Sequence, residues 1–143
     1  MNHVNIYIAV SNKSPKSLNG KVGYVVEKEG MEPLSGIAPA QNLTCHQAEM
    51  TAQYKAQFSV KEPSHLVIYT ESMYLPLSLR WLPAWKTNGW KNSKGKDLAN
   101  REAWEALAQK LSGHETEFRV GEQHAFKKWL ETEVNRKRGS TYV

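Results

Sequence analysis

The alternation of apolar and polar residues near the start of the chain predicts three consecutive β-strands. Residues 4–10 and 21–27 are rich in β-branched and aromatic side chains, and a polar, turn-rich stretch separates them. A turn over residues 28–33 leads into a third run near residues 34–38. Because consecutive strands usually lie side by side, these three are expected to form an antiparallel meander.

A helix and a different kind of strand are predicted after the meander. Thr44 and Gln47 have the spacing of a capping box, and residues 48–58 contain no helix breaker, so a helix is expected from about His46. Residues 65–70 form a short apolar run. Such a run predicts a strand that is buried on both faces and parallel to the first strand.

The rest of the chain alternates between predicted helices and one more strand. A short helix is expected after Glu71, and Asn100 suits the N-cap of a helix that stops at Gly113. Residues 115–120 alternate like a strand, and residues 126–138 predict a last helix. The pattern therefore predicts an α/β fold.

The composition indicates one compact domain over residues 1–143, with a flexible tail at residues 139–143. The chain is 40% hydrophobic and 23% charged, and no apolar run approaches the ~18 residues of a membrane helix. No leader-like segment precedes the first strand, so a cytoplasmic protein without membrane contact is expected. Cys45 is the single cysteine, which excludes a disulfide within the chain and a cysteine-based zinc cluster.

Positive charge is concentrated in the second half of the chain. Residues 1–79 carry six basic and six acidic side chains, whereas residues 80–143 carry thirteen and eight, which accounts for the net charge of +5. Within this half, residues 80–96, hereafter the basic segment, contain three tryptophans and five Lys or Arg residues but no acidic residue. Lysines interleaved with aromatic rings are typical of phosphate and base binding.

The basic segment and the helix after it also carry a specific pattern. The two strings are Arg80-Trp81-Leu82-Pro83-Ala84-Trp85-Lys86-Thr87-Asn88-Gly89-Trp90-Lys91 and Asn100-Arg101-Glu102-Ala103-Trp104. They resemble the basic protrusion and the following helix of the ribonuclease H type 1 family. Weaker matches extend the resemblance over nearly the whole chain, except after Val120. The resemblance implies a ribonuclease H-like fold: a five-stranded mixed sheet, first three strands antiparallel and then parallel strands, flanked by helices, with a basic Trp-rich protrusion.

In that family, four acidic side chains in the order Asp, Glu, Asp, Asp hold two divalent ions at the scissile phosphate of an RNA/DNA hybrid. The resemblance places these positions at Ala9, Glu49, Glu71 and Val134, or near Leu130 if the last loop is shorter. Only Glu49 keeps the family's acid. The extra methylene of Glu71 would move its carboxylate outward by ~1.5 Å.

The resemblance therefore implies that the usual two-metal chemistry is absent. Mg²⁺ demands near-octahedral geometry, so Glu49 and Glu71 are expected to hold a single Mg²⁺ or Mn²⁺ weakly at most, and no cofactor is required. His124 matches a loop histidine that is thought to assist turnover in the family. Glu49, Glu71 and His124 are the remaining candidates for catalytic roles.

The candidate nucleic-acid contacts lie in the basic segment and around the start of the first helix. They are Lys13, Thr44, His46, Trp81, Trp85, Lys86, Asn88, Trp90, Lys91, Lys94 and Lys96. The family usually has asparagines just before the first helix, whereas this chain has Cys45 and His46. Recognition of nucleic acid is thus expected to depend mainly on the basic segment.

The five tryptophans are expected to differ in role. Trp81 and Trp104 are interpreted as core residues, whereas Trp85 and Trp90 lie between lysines and are expected to be partly exposed. Trp129 is interpreted as an anchor of the last helix against the sheet.

Three hypotheses remain open from the sequence. The first is a nucleic-acid-binding or accessory protein for RNA/DNA hybrid or structured RNA that has lost hydrolysis. The second is a divergent metal-dependent ribonuclease H that recruits a third carboxylate, such as Glu131 or Glu133, to join Glu49 and Glu71. The third is a protein-interaction scaffold that docks a protein partner on exposed aromatic side chains.

Overall fold

The computed structural model describes residues 2–136. Five strands and five helices are found in this part of the chain. In order they are β1 (Asn2–Val10), β2 (Leu18–Lys28), β3 (Leu34–Leu43), α1 (Cys45–Gln57), β4 (Ser64–Thr70), α2 (Tyr74–Leu79), α3 (Leu82–Thr87), α4 (Arg101–Leu111), β5 (Glu115–Val120) and α5 (Lys127–Asn135). The predicted tail and Lys137 and Arg138 lie outside the described residues.

The strands form one mixed sheet in the order β3-β2-β1-β4-β5. β1 pairs antiparallel with β2, and β2 pairs antiparallel with β3, as the meander predicts. β4 lies parallel to β1 on its other side, and β5 lies parallel to β4. The carboxyl ends of β1 and β4 therefore meet at the same edge of the sheet, which positions the candidate site.

Helices cover the sheet unequally on its two faces. The main core joins the inward side chains of β1 and β4, including Ile6 and Ile68, to α1 and to Trp104 and Leu107 of α4. On the opposite face, α5 packs a smaller cluster against β1 and β2. Its buried members are Tyr7, Ala9, Val25, Leu130 and Val134.

Three element boundaries and the burial of one strand differ from the predictions. β2 begins at Leu18, three residues before the predicted start, and α5 ends at Asn135, short of the predicted end at residue 138. β3 continues to Leu43, past Pro39, because it is an edge strand and proline's missing N–H is tolerated there. β4 is buried on only one face, with His65, Val67 and Tyr69 half-buried on the other. The prediction of burial on both faces is wrong because α5 leaves this part of the second face uncovered.

The structure corrects two of the tryptophan interpretations. Trp104 is buried as expected, and Trp85 and Trp90 are half-buried, but Trp81 is 62% exposed and Trp129 is 42% exposed. Leu130 fills the space beneath α5 and leaves Trp129 on an outer side of the helix.

Trp81 is exposed because the core side of its segment is already occupied. Leu75 is fully buried, and Leu79, one helical turn later, packs partly against the main core. Trp81 instead continues the outward-facing side with Met73 and Leu77. Within residues 2–136, no helix is long and apolar enough to cross a membrane.

Candidate functional site

A cavity of about 300 Å³ opens at the edge where β1 and β4 end beside the start of α1. β1 contributes Ala9, α1 contributes His46 and Glu49, and the segment after β4 contributes Glu71 and Ser72. Lys13, from the loop after β1, also lines the cavity. The fold thus brings three of the four family acid positions to one cavity.

The start of α1 is fixed by the predicted capping box. The Gln47 N–H donates to the Thr44 hydroxyl over 3.2 Å, and the Thr44 N–H donates to the Gln47 side chain over 3.0 Å. This cap sets the first turn of α1 and places Glu49 inward. Thr44 therefore has a structural role, and its proposed nucleic-acid contact stays a prediction.

Glu49 is a buried carboxyl group. The residue is 6% exposed, and its Oε2 has no hydrogen-bond partner among the described residues. Burial raises the pKa of Glu49 to about 7, and the Ser72 hydroxyl and the Lys13 charge oppose this shift only in part. At neutral pH the side chain is therefore divided between its neutral and charged forms.

Glu71 is held by a lysine that sequence analysis did not single out. The Lys127 Nζ lies 2.9 Å from the Glu71 Oε1, and the hydrogen bond from Lys127 to Glu71 raises the pKa of Lys127. Lys127 is the first residue of α5. No motif in the sequence indicates this contact, because it depends on the position at which α5 packs on the sheet.

Ala9 and Val134, where the resemblance places two of the family's acids, belong to the buried apolar cluster beneath α5. Leu130, the other candidate for the fourth position, lies in the same cluster. α5 approaches β2 closely at Gly23, where an added Cβ would come within 2.9 Å of Val134 and 3.1 Å of Leu130. Gly23 pairs with Ala9 across β1 and β2, so apolar contacts replace the family's carboxylates on this side.

These residues do not fit a two-metal centre. Ala9 and Val134 carry no side-chain donor atom, Glu71 is paired with Lys127, and Glu49 is buried. Across residues 2–136, no three His, Cys, Asp or Glu side chains are arranged to hold a metal ion. The Glu133 carboxylate pairs with Arg136 at 2.6 Å. The converging third carboxylate that a divergent nuclease would require is thus not found in the described part.

His124 packs against aromatic rings near the same edge. Its ring centroid lies 4.5 Å from that of Tyr7 and 5.3 Å from that of Tyr69, and its Nδ1 accepts a hydrogen bond from the Phe126 N–H over 3.2 Å. Burial, reinforced by the Lys127 charge, lowers the pKa of His124. The imidazole is therefore mainly neutral at pH 7, and its catalytic role stays a prediction.

The basic segment begins directly after α2 and consists of α3 and a tight loop. The Trp90 N–H donates to the Trp85 carbonyl over 2.8 Å. The loop is closed by Asp97, which accepts from Lys91 over 3.1 Å and from Arg101 over 2.7 Å. These bonds lower the pKa of Asp97, the chain's one aspartate, which thus stabilises a loop instead of supplying the site.

The polar candidates of the basic segment point to solvent. Lys86, Asn88, Lys94 and Lys96 are exposed, and the lysines among them make no ion pair with any described residue. Lys91 is exposed but paired with Asp97. The segment therefore presents free ammonium groups.

A chain of aromatic contacts connects the start of α1 to the basic segment. His46 stacks on Tyr74 with ring centroids 3.9 Å apart and planes 7° apart. Tyr74 contacts Trp104 at 5.7 Å, and Trp104 contacts Trp85 at 5.4 Å. The cavity and the basic segment thus share one packed support.

The sequence model of the RNase H family matches residues 1–131. The chain belongs to the RNase H family. Val134 lies beyond the matched span, in the part of the chain where the resemblance is weakest. The proposed resemblance to ribonuclease H is confirmed by this match.

Two curated relatives of this RNase H family member are ribonucleases H. That of Dichelobacter nodosus is 37% identical over 83 residues, which are 57% of this chain and 55% of the relative. That of Coxiella burnetii is 38% identical over 74 residues, which are 51% of this chain and 48% of the relative. The chain thus spans about half the length of the curated relatives that it matches.

Solved structures confirm the ribonuclease H-like fold. LC9-RNase H1, a type 1 RNase H with the type 2 active-site motif, is 20% identical with a TM-score of 0.70, over 93% of this chain and 70% of that one. The foamy viral protease-reverse transcriptase in complex with RNA/DNA hybrid is 19% identical with a TM-score of 0.67, over 93% of this chain and 19% of that one.

Proposed function

We propose that this RNase H family member binds RNA/DNA hybrid or structured RNA through its basic segment and has lost two-metal hydrolysis. The observation that carries the proposal is the contrast between the two parts of the site. Ala9 and Val134 are buried in an apolar cluster at two acid positions, whereas the lysines of the basic segment remain exposed. The proposal includes the expectation that the protein is cytoplasmic.

The basic segment supplies the two kinds of contact that nucleic-acid binding needs. Free ammonium groups at Lys86, Lys94 and Lys96 attract phosphates. Trp81 offers an exposed ring for stacking on a base or a sugar, and the half-buried Trp85 holds the segment in place. The related fold in the foamy viral complex with RNA/DNA hybrid supports this class of ligand.

Lys13 and His46 extend the proposed surface from the basic segment to the cavity. Lys13 is exposed at the mouth of the cavity, and His46 is exposed at the start of α1. Divalent ions are not required for binding in this proposal, although Glu49 and Glu71 are the residues that would hold one weakly.

The test is equilibrium binding of a labelled RNA/DNA hybrid at stepped salt concentrations. Lys94→Ala with Lys96→Ala should weaken binding and reduce the slope of log affinity against log salt by about one for each phosphate that the variant no longer neutralises. Lys55→Ala with Lys61→Ala is the matched control, since it removes the same charge near the far end of α1. Equal effects of the two double variants would contradict the assignment to the basic segment.

One observation favours the alternative of a protein-interaction scaffold. Met73 and Leu77 are each 46% exposed, and they line up with Trp81 at four-residue spacing as an outward apolar row. Docking of a protein on this row would weaken little with salt, whereas phosphate binding falls steeply. The same salt series therefore separates the two functions.

A further inference from the structure

The pair formed by Lys127 and Glu71 is the feature of the site that the proposed function does not use. Lys127 is 21% exposed at its side chain and Glu71 is 38% exposed, so the pair lies at the surface beside the cavity, where water screens it in part. Glu71 is also its one ion-pair partner in the described part of the chain. The contact is therefore a built feature of the site.

The position of Lys127 is set by the packing of α5. Leu130 and Val134 anchor the helix on β1 and β2, and Lys127 lies one turn before Leu130. The Lys127 N–H also donates to the His124 carbonyl over 3.3 Å. α5 therefore places the Lys127 ammonium beside Glu71 and also carries Val134, where the resemblance places the fourth acid.

From this geometry we infer that the Lys127 ammonium is the resident cation of the site, which replaces a divalent ion beside Glu71 and allows a phosphodiester to enter the cavity without metal. The inference rests on the proposed function. Lys13 lines the cavity together with Glu49 and Glu71, and Lys127 lies beside it through its bond to Glu71. A phosphate near Glu71 would therefore meet two ammonium groups as well as the carboxylates, and Glu131 adds a further negative charge near Lys127.

The chemistry of an ammonium group suits this role. It carries three N–H donors, and the bond to Glu71 uses one of them. The remaining donors can reach a phosphate oxygen while the pair stays intact. A carboxylate that already has a cation at 2.9 Å also has less attraction for a second one.

The first test compares hybrid binding in EDTA and in Mg²⁺ at constant ionic strength. The wild-type protein should bind equally well in both. Lys127→Met should weaken binding by about tenfold in EDTA, and Mg²⁺ should restore part of the affinity because Glu71 is then free for the metal. Lys128→Met removes the neighbouring exposed lysine and should weaken binding equally in both conditions.

Lys127→Arg and a metal titration complete the test. Lys127→Arg keeps the positive charge and should retain binding in EDTA. Binding that is lost in Lys127→Met but kept in Lys127→Arg would assign the effect to the charge at this position. Without nucleic acid, Mn²⁺ should raise the melting temperature of Lys127→Met but not of the wild-type protein.

The outcomes separate the inference from the proposed function. Identical behaviour of Lys127→Met and Lys128→Met would overturn the inference and leave the proposed function standing. Hybrid binding by the wild-type protein only with Mg²⁺ would overturn the inference and also the part of the proposed function in which binding requires no divalent ion. A wild-type protein that binds no hybrid in either condition would overturn both.

Discussion

Glu49 is a buried carboxyl group whose pKa differs from that of an exposed glutamate. In the described part of the chain its Oε2 has no partner, and only Ser72 and Lys13 oppose the effect of its burial on its pKa. They do not offset the burial that penalises the carboxylate form, which is the main cause of the raised pKa. The residue keeps the family's acid but not the ordinary charge state of an exposed one.

Glu49 should make the stability of the protein fall as the pH rises. The folded state holds the Glu49 proton up to about pH 7, whereas the unfolded chain releases it near the ordinary pKa of about 4.3. The stabilising contribution is therefore full below that ordinary pKa and is lost as the pH rises through 7. Above pH 8, Glu49→Gln should be more stable than the wild-type protein by about 1 to 3 kcal/mol.

Urea unfolding at pH 5 and pH 8 measures this effect. The advantage of Glu49→Gln should grow between the two pH values, while Glu32→Gln, at an exposed position, should show no such change. A constant difference between Glu49→Gln and the wild-type protein would show that the Glu49 carboxyl is not destabilised by burial.

At the scale of the elements, α5 decides the character of the site. It buries Leu130 and Val134 on the sheet, brings Lys127 to Glu71 and leaves Trp129 outside. One helix therefore both buries apolar side chains on the sheet and places a cation beside Glu71.

The two neighbouring residues of α5 should differ sharply in their contribution to stability. Leu130→Ala should lower the free energy of unfolding by about 2 to 5 kcal/mol, because it leaves a cavity against Gly23 and Val134. Trp129→Ala should cost less than about 1 kcal/mol, because the ring is 42% exposed. Chemical denaturation measures both, and a larger effect of Trp129→Ala would contradict the placement of α5.

Much of the fold can be predicted from sequence because its signals are local. The capping box at Thr44 and the strand β5 are both predicted from neighbouring residues, and both are confirmed, although exposure along β5 does not alternate. The face of α5 that packs on the sheet cannot be predicted from neighbouring residues in the same way. Trp129 offers more apolar area than Leu130, but the close approach at Gly23 leaves room only for the smaller side chain.

Residues of the site can be predicted only where short segments of the sequence resemble those of the ribonuclease H family. Ala9 and Glu71 lie in strands or at strand ends with recognisable strings, and the structure brings both to one cavity. Lys127 could not be predicted, because its contact with Glu71 joins segments that are far apart in the chain.

At the scale of the whole molecule, charge has been redistributed around an RNase H fold. The net charge of +5 arises in the second half of the chain, and the one aspartate stabilises the loop that follows the basic segment. Lys13 at the cavity and Lys127 beside Glu71 place positive charge near the remaining carboxylates. Under the proposed function, these charges would attract a phosphate backbone without the help of divalent ions.

The most direct test of this account is a cleavage assay on one labelled RNA/DNA hybrid with excess Mg²⁺ or Mn²⁺. The control is the double variant Glu49→Gln with Glu71→Gln, which removes both remaining carboxylates, and binding is measured in the same samples. If the protein binds nucleic acid without hydrolysing it, binding should be salt-sensitive and the wild-type protein should cleave no more than the double variant. Cleavage by the wild-type protein that the double variant abolishes would show that the two glutamates still form a working nuclease site.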